Sequence, residues 1–336
     1  MEFKFNEIFE KMMKDHKLYS VVILGHMNPD GDAAGSVMGL AHYLNAVYPQ
    51  YAAIPYLAET LDKGPKSMVD TDCIFEPFQV PKVSRYAVIV CDTATEERII
   101  GREIYEKAEV SMVIDHHASD KGYADVNYVK ISESCAENIF HILDWERWEE
   151  STERIGDMKD LHPTAADYIY LGLIHDTACF TRAKSSTFRA AEQLLKHHVD
   201  HNYIVKTMKT ATLEDERRRA FLFSLTESAY DGKVAYVMLH RPEIEKYKIT
   251  YEDIHPFSAI LRDCQDIELG FTMYEEEPDL WRCSFRSDGS WIDVNELMDP
   301  FGGGGHAGAA GLRKASKDPD KLREEILQRL KELRRE

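Results

Sequence analysis

No stretch of this chain approaches the ~18 consecutive apolar residues that cross a bilayer, and no basic segment leads into an apolar one at the N-terminus. Neither a membrane span nor a secretory leader is expected, and the cytoplasm is the expected compartment. Cysteine is scarce. The six residues (Cys73, Cys91, Cys135, Cys179, Cys264 and Cys283) include no Cys-x-x-Cys pair. That argues against a cysteine-built zinc site or a disulfide framework and leaves buried free thiols. Basic charge is also short: 41 Lys and Arg face 59 Asp and Glu, a net charge of −18. Proteins hold nucleic acid polymers largely through Lys and Arg on phosphates, so a long nucleic acid is not an expected partner. A small phosphorylated substrate, drawn to metals and a few arginines, is compatible with the same balance. No internal repeat or low-complexity tract stands out, and 336 residues suggest two domains.

What the chain does have is a set of short apolar runs that end in Asp or His. One run ends in His26 and leads into Asp30 and Asp32. A second ends in Asp92, and a third ends in Asp115-His116-His117. Each is continuous and rich in β-branched residues, the pattern of a strand buried on both faces of a parallel sheet. In open parallel α/β sheets, ligands bind outside the carboxyl ends of the strands. A later run is helical: Ala165, Ile169 and Leu173 recur four apart from a start near Pro163, and the element ends at His175-Asp176-Thr177. Polar and ionised groups leave water only when something pairs with them. A divalent cation is the obvious partner for this set.

The residues suffice for a pair of cations. His26, Asp30 and Asp92 surround one, and Asp32, Asp92, His116 and Asp176 surround the other, with Asp92 bridging. Carboxylates with an imidazole at each cation suit Mn²⁺ better than Mg²⁺, which dehydrates reluctantly, or Ca²⁺, which prefers oxygen. Zinc, Co²⁺ and Fe²⁺ remain open. Two metals clamp the attacking and leaving oxygens of a displacement at phosphorus. Asp115 then orients a neighbouring imidazole, and His117 faces the substrate and donates to a phosphoryl oxygen. The competing reading of Asp32 is a helix N-cap.

His26 to Ala33, Asp92-Thr93, Asp115-His116-His117 and Asp176-Thr177 resemble, in order, the four motifs of the DHH phosphoesterases. The stretch Phe301 to Gly311, with its glycines and His306, resembles the signature of the DHH-associated C-terminal domain, and Ser284 to Ser287 resembles that domain's arginine-bearing strand. Length and layout are most similar to the nanoRNase/pAp-phosphatase group, which includes exopolyphosphatase-related chains and relatives that cleave cyclic dinucleotides. The resemblance implies an α/β fold: an N-terminal parallel-sheet domain with helices on both faces, a smaller α/β C-terminal domain, and an active site in the cleft between them. It implies Mn²⁺-dependent hydrolysis of very short oligonucleotides or of the 3′-phosphate of a nucleotide bisphosphate such as pAp, with the same metal ligands. A cyclic-dinucleotide phosphodiesterase and an exopolyphosphatase are the alternative enzymes, and a nucleotide-sensing binding protein is the alternative of another class. A homodimer is compatible with all of these. The family often has Gly after Asp-Thr in the fourth motif, where this chain has Ala178.

The expected divisions are a catalytic domain over 1–190, a helical connection over 191–225 and a substrate-binding domain over 226–336. Helices are expected after Asp32 and over Ser134–Trp148, and a surface excursion over Trp145–Asp160. In the last domain, Trp281, Cys283 and Phe285 alternate with Arg282, Ser284 and Arg286, which presents Arg286 on one face of a strand. Its planar guanidinium suits phosphate. Gly302 to Gly305 lead into His306, and a contact to phosphate or nucleoside is expected from Gly304, Gly305 and His306 through backbone N–H groups. Asp293 caps a short helix Val294–Met298, and Asp318 with Pro319 starts a terminal helix whose stripe is Leu322, Ile326, Leu330 and Leu333. The cluster His197, His198 and His201 reads as a helix end, and His42, His141, His175, His240 and His255 read as structural.

Overall fold

A computed structural model describes residues 3–58, 60–61, 63–69, 74–75, 84–119, 121–153, 163–208 and 211–334. The chain divides into two compact units, Met1–Thr210 and Ala211–Glu336.

In the first unit the apolar runs become strands of one parallel sheet. They are β1 (Ser20–Leu24), β2 (Ala52–Ala58), β3 (Ile74–Phe75), β4 (Ala87–Cys91), β5 (Val110–Asp115) and β6 (Val126–Val129), in the order β3-β2-β1-β4-β5-β6. Every residue of β4 and β5 is buried, which is why these runs are continuous rather than alternating. Successive residues serve two cores. Val21, Ile23, Ile89, Met112 and Ile114 pack with the helices Phe5–Asp15, Gly31–Val47, Cys135–Ile142 and Ala165–Asp176. Val22, Leu24, Val88, Val90 and Val113 pack with Ile99, Ile100 and Ile104, the last on helix Arg102–Glu106. Helices therefore cover both faces of the sheet.

Helix Gly31–Val47 lies directly on helix Ala165–Asp176. A Cβ on Gly35 would stand 2.6 Å from the Gly172 nitrogen and closer still to the Tyr168 carbonyl oxygen. Only glycine permits this approach.

Two expectations change. The helix expected over Ser134–Trp148 is two helices. Ser134 caps Cys135–Ile142 by accepting from the Glu137 amide, the chain turns extended at Leu143, and Asp144 restarts Trp145–Glu153 by accepting from the Arg147 amide at 3.2 Å. Trp148 anchors the second helix by burial while Glu146, Glu149 and Glu150 stay exposed; the rest of the expected surface excursion, residues 154–160, lies outside the described residues. The first unit also extends beyond residue 190. Helices Ser185–Lys196 and His201–Thr207 place Ala190, Leu194 and Ile204 in its core, whereas Leu222 of helix Leu213–Ser224 packs in the second unit. His197 and His201 face different partners: His197 stacks on Trp145 and pairs with Glu149 at 2.8 Å, and His201 lies 2.8 Å from the Tyr170 hydroxyl.

The second unit is a mixed sheet of β7 (Glu227–Ala229), β8 (Val234–Leu239), β9 (Leu269–Glu277), β10 (Leu280–Ser287), β11 (Gly304–His306) and β12 (Ala309–Ala315), in the order β11-β12-β10-β9-β8-β7. Only β8 and β9 pair in parallel. β10 runs between β9 and β12, burying Trp281, Cys283 and Phe285 and turning Arg282, Ser284 and Arg286 to the other face. Asp293 caps helix Val294–Met298 and Asp318 caps helix Pro319–Leu333, which buries Leu322, Ile326 and Leu330. Among the described residues no helix is long and apolar enough to cross a membrane.

Gly35→Ala is expected to lower unfolding free energy by about 1–3 kcal/mol, the usual cost of overpacking. Urea denaturation measures this, and an unchanged midpoint would show that the two helices separate freely.

Candidate metal centre

β1 and β4 are neighbours although β2 and β3 lie between them in sequence. The chain leaves β1 toward one side of the sheet and β4 toward the other, so a crevice opens at their carboxyl ends. His26 follows β1 and Asp92 follows β4. His26 is held by a bridge to Ile99, and the Met27 amide donates to the Arg98 carbonyl at 2.9 Å. Asp92 turns off its strand at φ +53°, a conformation Asp tolerates better than most residues.

Around this crevice the side chains gather into four overlapping groups whose potential ligand atoms lie within 4.8 Å of one another. These are His26–Asp30–Asp92, Asp32–His116–Asp176, Asp92–His116–His117 and Asp30–His175–Asp176. All six residues expected as metal ligands are thus brought together, along with His117. His116 Nε2 lies 3.3 Å from Asp92 Oδ1, 3.6 Å from Asp176 Oδ2 and 3.9 Å from Asp32 Oδ2. His26 Nε2 lies 3.6 Å from Asp92 Oδ2.

Each ligand is aimed by a backbone feature. Asp30, not Asp32, caps helix Gly31–Val47: its Oδ1 accepts from the Asp32 and Ala33 amides at 2.9 and 3.1 Å. Asp32 is fully buried and accepts from the amides of Cys135 (2.6 Å) and Ala136 (3.0 Å). The positive end of helix Cys135–Ile142 therefore faces its carboxylate. Gly172 leaves room for it, since a Cβ there would lie 2.8 Å from Asp32 Oδ1. His116 Nδ1 is 3.2 Å from the Ser132 carbonyl. Donation there assigns the proton to Nδ1 and leaves Nε2 for the centre. Asp115 is fully buried; its Oδ1 lies 2.9 Å from His117 Nδ1 and its Oδ2 accepts from the His117 amide at 3.2 Å. Asn138 ties the strand end in place by donating to the Asp115 and Lys130 carbonyls at 3.0 and 2.6 Å.

This arrangement fits a bound cation. His26 Nδ1 and Asp92 Oδ1 are enclosed with no hydrogen-bond partner, and an enclosed polar group without a partner is costly. Burial, then Asp92, Asp176 and Asp30, push the Asp32 carboxyl well above its usual range. Burial, then Asp92 and Asp176, raise Asp30. Burial also opposes ionisation of Asp92, but the adjacent His116 and His26 imidazoles hold it well below the usual carboxylate range. Burial works against charge on His116, yet Asp92, the Ser132 carbonyl and Asp176 outweigh it and hold its pKa at about 9. The proton that His116 carries among these carboxylates is what a cation would replace.

His175, Ser132 and Asn138 escaped the sequence reading. His175, set aside as structural, is a member of the Asp30–His175–Asp176 group; its position beside Asp176 was the available signal. Ser132 and Asn138 gave none. Ala178 adopts φ +48°, followed by Cys179 at +51° and Phe180 at +69°. The loop takes the left-handed form even without glycine, at a cost of about 1–2 kcal/mol per residue.

In the second unit, Arg282, Ser284 and Arg286 line a pocket of ≈ 250 Å³, with Tyr251 and Gly304 among its other walls. Arg286 Nη1 donates to the Phe285 carbonyl at 2.9 Å. Burial and the two arginines push the His255 imidazole, also in the wall, below its usual range. The glycine run ahead of His306 uses several of its amides within the unit. The Gly302 and Gly303 amides donate to the Asp299 and Met298 carbonyls, and the Gly305 amide donates to Asn295 Oδ1 at 2.8 Å. Smallness is what the run contributes: a Cβ on Gly303 would stand 2.6 Å from the Gly311 carbonyl oxygen. His306 is exposed on β11.

A cation that takes His116 Nε2 must displace its proton, so below pH about 9 metal binding should release a proton and affinity should rise with pH, by up to tenfold per unit. Calorimetry with Mn²⁺ in buffers of different ionisation enthalpy measures the release; affinity independent of pH between 6.5 and 9 would contradict it.

Residues 20–173 match the DHH family, N-terminal domain. The bifunctional oligoribonuclease and PAP phosphatase NrnA of Bacillus subtilis (strain 168) is 27% identical over 304 residues, covering 90% of this chain and 91% of that protein. The probable NrnA of Streptococcus mutans is 26% identical over 337 residues, covering 97% and 98%. Among solved structures, an exopolyphosphatase-related protein from Bacteroides fragilis shares the fold, with a TM-score of 0.77 and 21% identity over 98% of this chain and 96% of that one. Over residues 20–173 the chain is thus similar to the DHH family, N-terminal domain, and along most of its length to the NrnA proteins.

Proposed function

We propose that this chain is a Mn²⁺-dependent phosphoesterase that hydrolyses very short oligonucleotides and removes the 3′-phosphate of pAp. The observation that carries the reading is the sharing of Asp92 between carboxylate–imidazole groups at the switch point of the sheet. The NrnA relatives, matched along nearly their whole length, support the substrate class.

His26, Asp30 and Asp92 would hold one cation, and Asp32, Asp92, His116 and Asp176 the other. Mixed carboxylate and imidazole donors favour Mn²⁺, with Mg²⁺, Co²⁺ or Fe²⁺ as substitutes. Such a metal pair supplies Lewis acidity at phosphorus and lowers the pKa of water to near neutrality. The chain's own groups do the rest. Asp115 clamps His117 through Nδ1 and the backbone, which leaves the second nitrogen of this half-exposed ring to donate to a phosphoryl oxygen. Asp115 acts by fixing that ring. Arg286 offers its guanidinium to a second phosphate, and Gly304, Gly305 and His306 form the substrate contact beside it.

A panel of dinucleotide, pAp, cyclic dinucleotide and polyphosphate with added Mn²⁺ tests the reading. Turnover of the first two is expected. Turnover of only cyclic dinucleotide or only polyphosphate would replace it with those activities, and tight nucleotide binding without turnover would make the protein a sensor. Asp92→Asn should cut turnover by at least about 100-fold, by analogy with loss of groups that hold a metal, while thermal unfolding stays cooperative. Unchanged activity would remove Asp92 from its bridging role. Arg286→Ala should lower kcat/KM about 10- to 100-fold for pAp, the worth of a charged hydrogen bond, and less for dinucleotide. Equal losses on both would contradict a grip on the second phosphate.

A further inference from the structure

His175 is the imidazole at the centre that the ligand set above does not use. It is the next-to-last residue of helix Ala165–Asp176, directly before Asp176. Its ring is half-buried, with a side-chain exposure of 23%, and Nδ1 lies 3.5 Å from Asp176 Oδ1. A nitrogen of the ring falls within 4.8 Å of ligand oxygens on both Asp30 and Asp176. Three donors of two chemical types at that spacing are what a divalent cation gathers.

The position of the ring is built in. A Cβ on Gly31 would lie 2.5 Å from both Cδ2 and Cγ of His175. The ring therefore rests on the bare backbone between Asp30 and Asp32, and any side chain at Gly31 would push it off. The same helix start that aims Asp30 thus also seats His175.

A second observation comes from the adjoining group. Asp30 also belongs to the group of His26 and Asp92, where His26 Nδ1 and Asp92 Oδ1 are enclosed without a hydrogen-bond partner. Asp176 faces His116 through Oδ2 at 3.6 Å and His175 through Oδ1. The two carboxylates nearest His175 are therefore the ones that reach into the proposed cation positions.

We propose that His175 is a further nitrogen donor of this centre, placed on its Asp30–Asp176 edge, and that it biases the centre toward transition-metal cations such as Mn²⁺ and Co²⁺ over Mg²⁺. The inference rests on the metal reading above. Its chemical basis is that imidazole suits transition metals, whereas Mg²⁺ prefers oxygen donors and keeps its water. A centre with one more imidazole discriminates further against Mg²⁺.

The test measures metal binding by the full chain, not turnover. Mn²⁺ and Mg²⁺ affinities are determined by calorimetry for the wild type, His175→Asn and His175→Gln, and the visible absorption of each is recorded with Co²⁺. Thermal unfolding in chelator checks that each variant folds; if one does not, the other is read. Removing His175 should weaken Mn²⁺ about 10-fold or more, the range seen when a group at a metal site is lost. It should weaken Mg²⁺ less, so that the Mn²⁺/Mg²⁺ preference narrows, and it should shift the Co²⁺ bands. Affinities and spectra equal to wild type in a folded variant overturn the proposal. A wild type that takes up neither Mn²⁺ nor Co²⁺ overturns the metal reading itself, so the two failures are told apart.

Discussion

The buried carboxylate of Asp92 is the constraint around which the first unit is arranged. It stands at the end of an interior strand, almost fully enclosed, with one oxygen lacking any hydrogen-bond partner. Three imidazoles, of His26, His116 and His117, and two further aspartates, Asp30 and Asp32, approach it. Such a cluster of like charges in a low-dielectric crevice is stable only with compensating positive charge, whether a proton on His116 or a cation. The apo geometry and the proposed chemistry therefore have one cause. The protein holds an anionic hole whose filling is a matter of pH and metal concentration.

The surrounding fold supports that hole with backbone rather than with surface charge. Asp30 is held by the first amides of the helix it starts, and Asp32 by the first amides of a helix about one hundred residues later in the chain. The helix that carries Asp176 can sit close enough to share the site because Gly35 and Gly172 have no side chains at the crossing. Close helix packing and ligand aim are the same fact here, since widening the crossing would move Asp32 and Asp176 apart.

Much of this was legible from residue order. Continuous β-branched runs announced buried parallel strands, and the Asp and His at their ends marked the liganding edge. Alternation around Arg286 and the caps at Asp293 and Asp318 read directly, because period and capping are local properties. The errors were also physical. Helical periodicity continued across Leu143 and Asp144, hiding the break that Asp144 caps. The stretch 191–225 reads as helical and polar, as a connection would, yet Leu194 and Ile204 suffice to bury one face of its first helices in the core of the first unit. Around the glycine run, the partners of the amides are set by tertiary contacts: Asn295 Oδ1 takes that of Gly305, and the Asp299 and Met298 carbonyls those of Gly302 and Gly303.

By itself the sequence determined which side chains could bind a cation and that each would stand at the end of a strand or helix, because those signals lie within a few consecutive residues. Only the tertiary structure decided that β1 and β4 are neighbours, that the amides of Cys135 and Ala136 hold Asp32, and that Asn138 and Ser132 steady the third motif. It alone placed His175 over Gly31, facing Asp30 and Asp176. These are contacts between segments far apart in the chain. Their geometry follows from how layers pack and where the sheet changes direction, and no local pattern of residues encodes that.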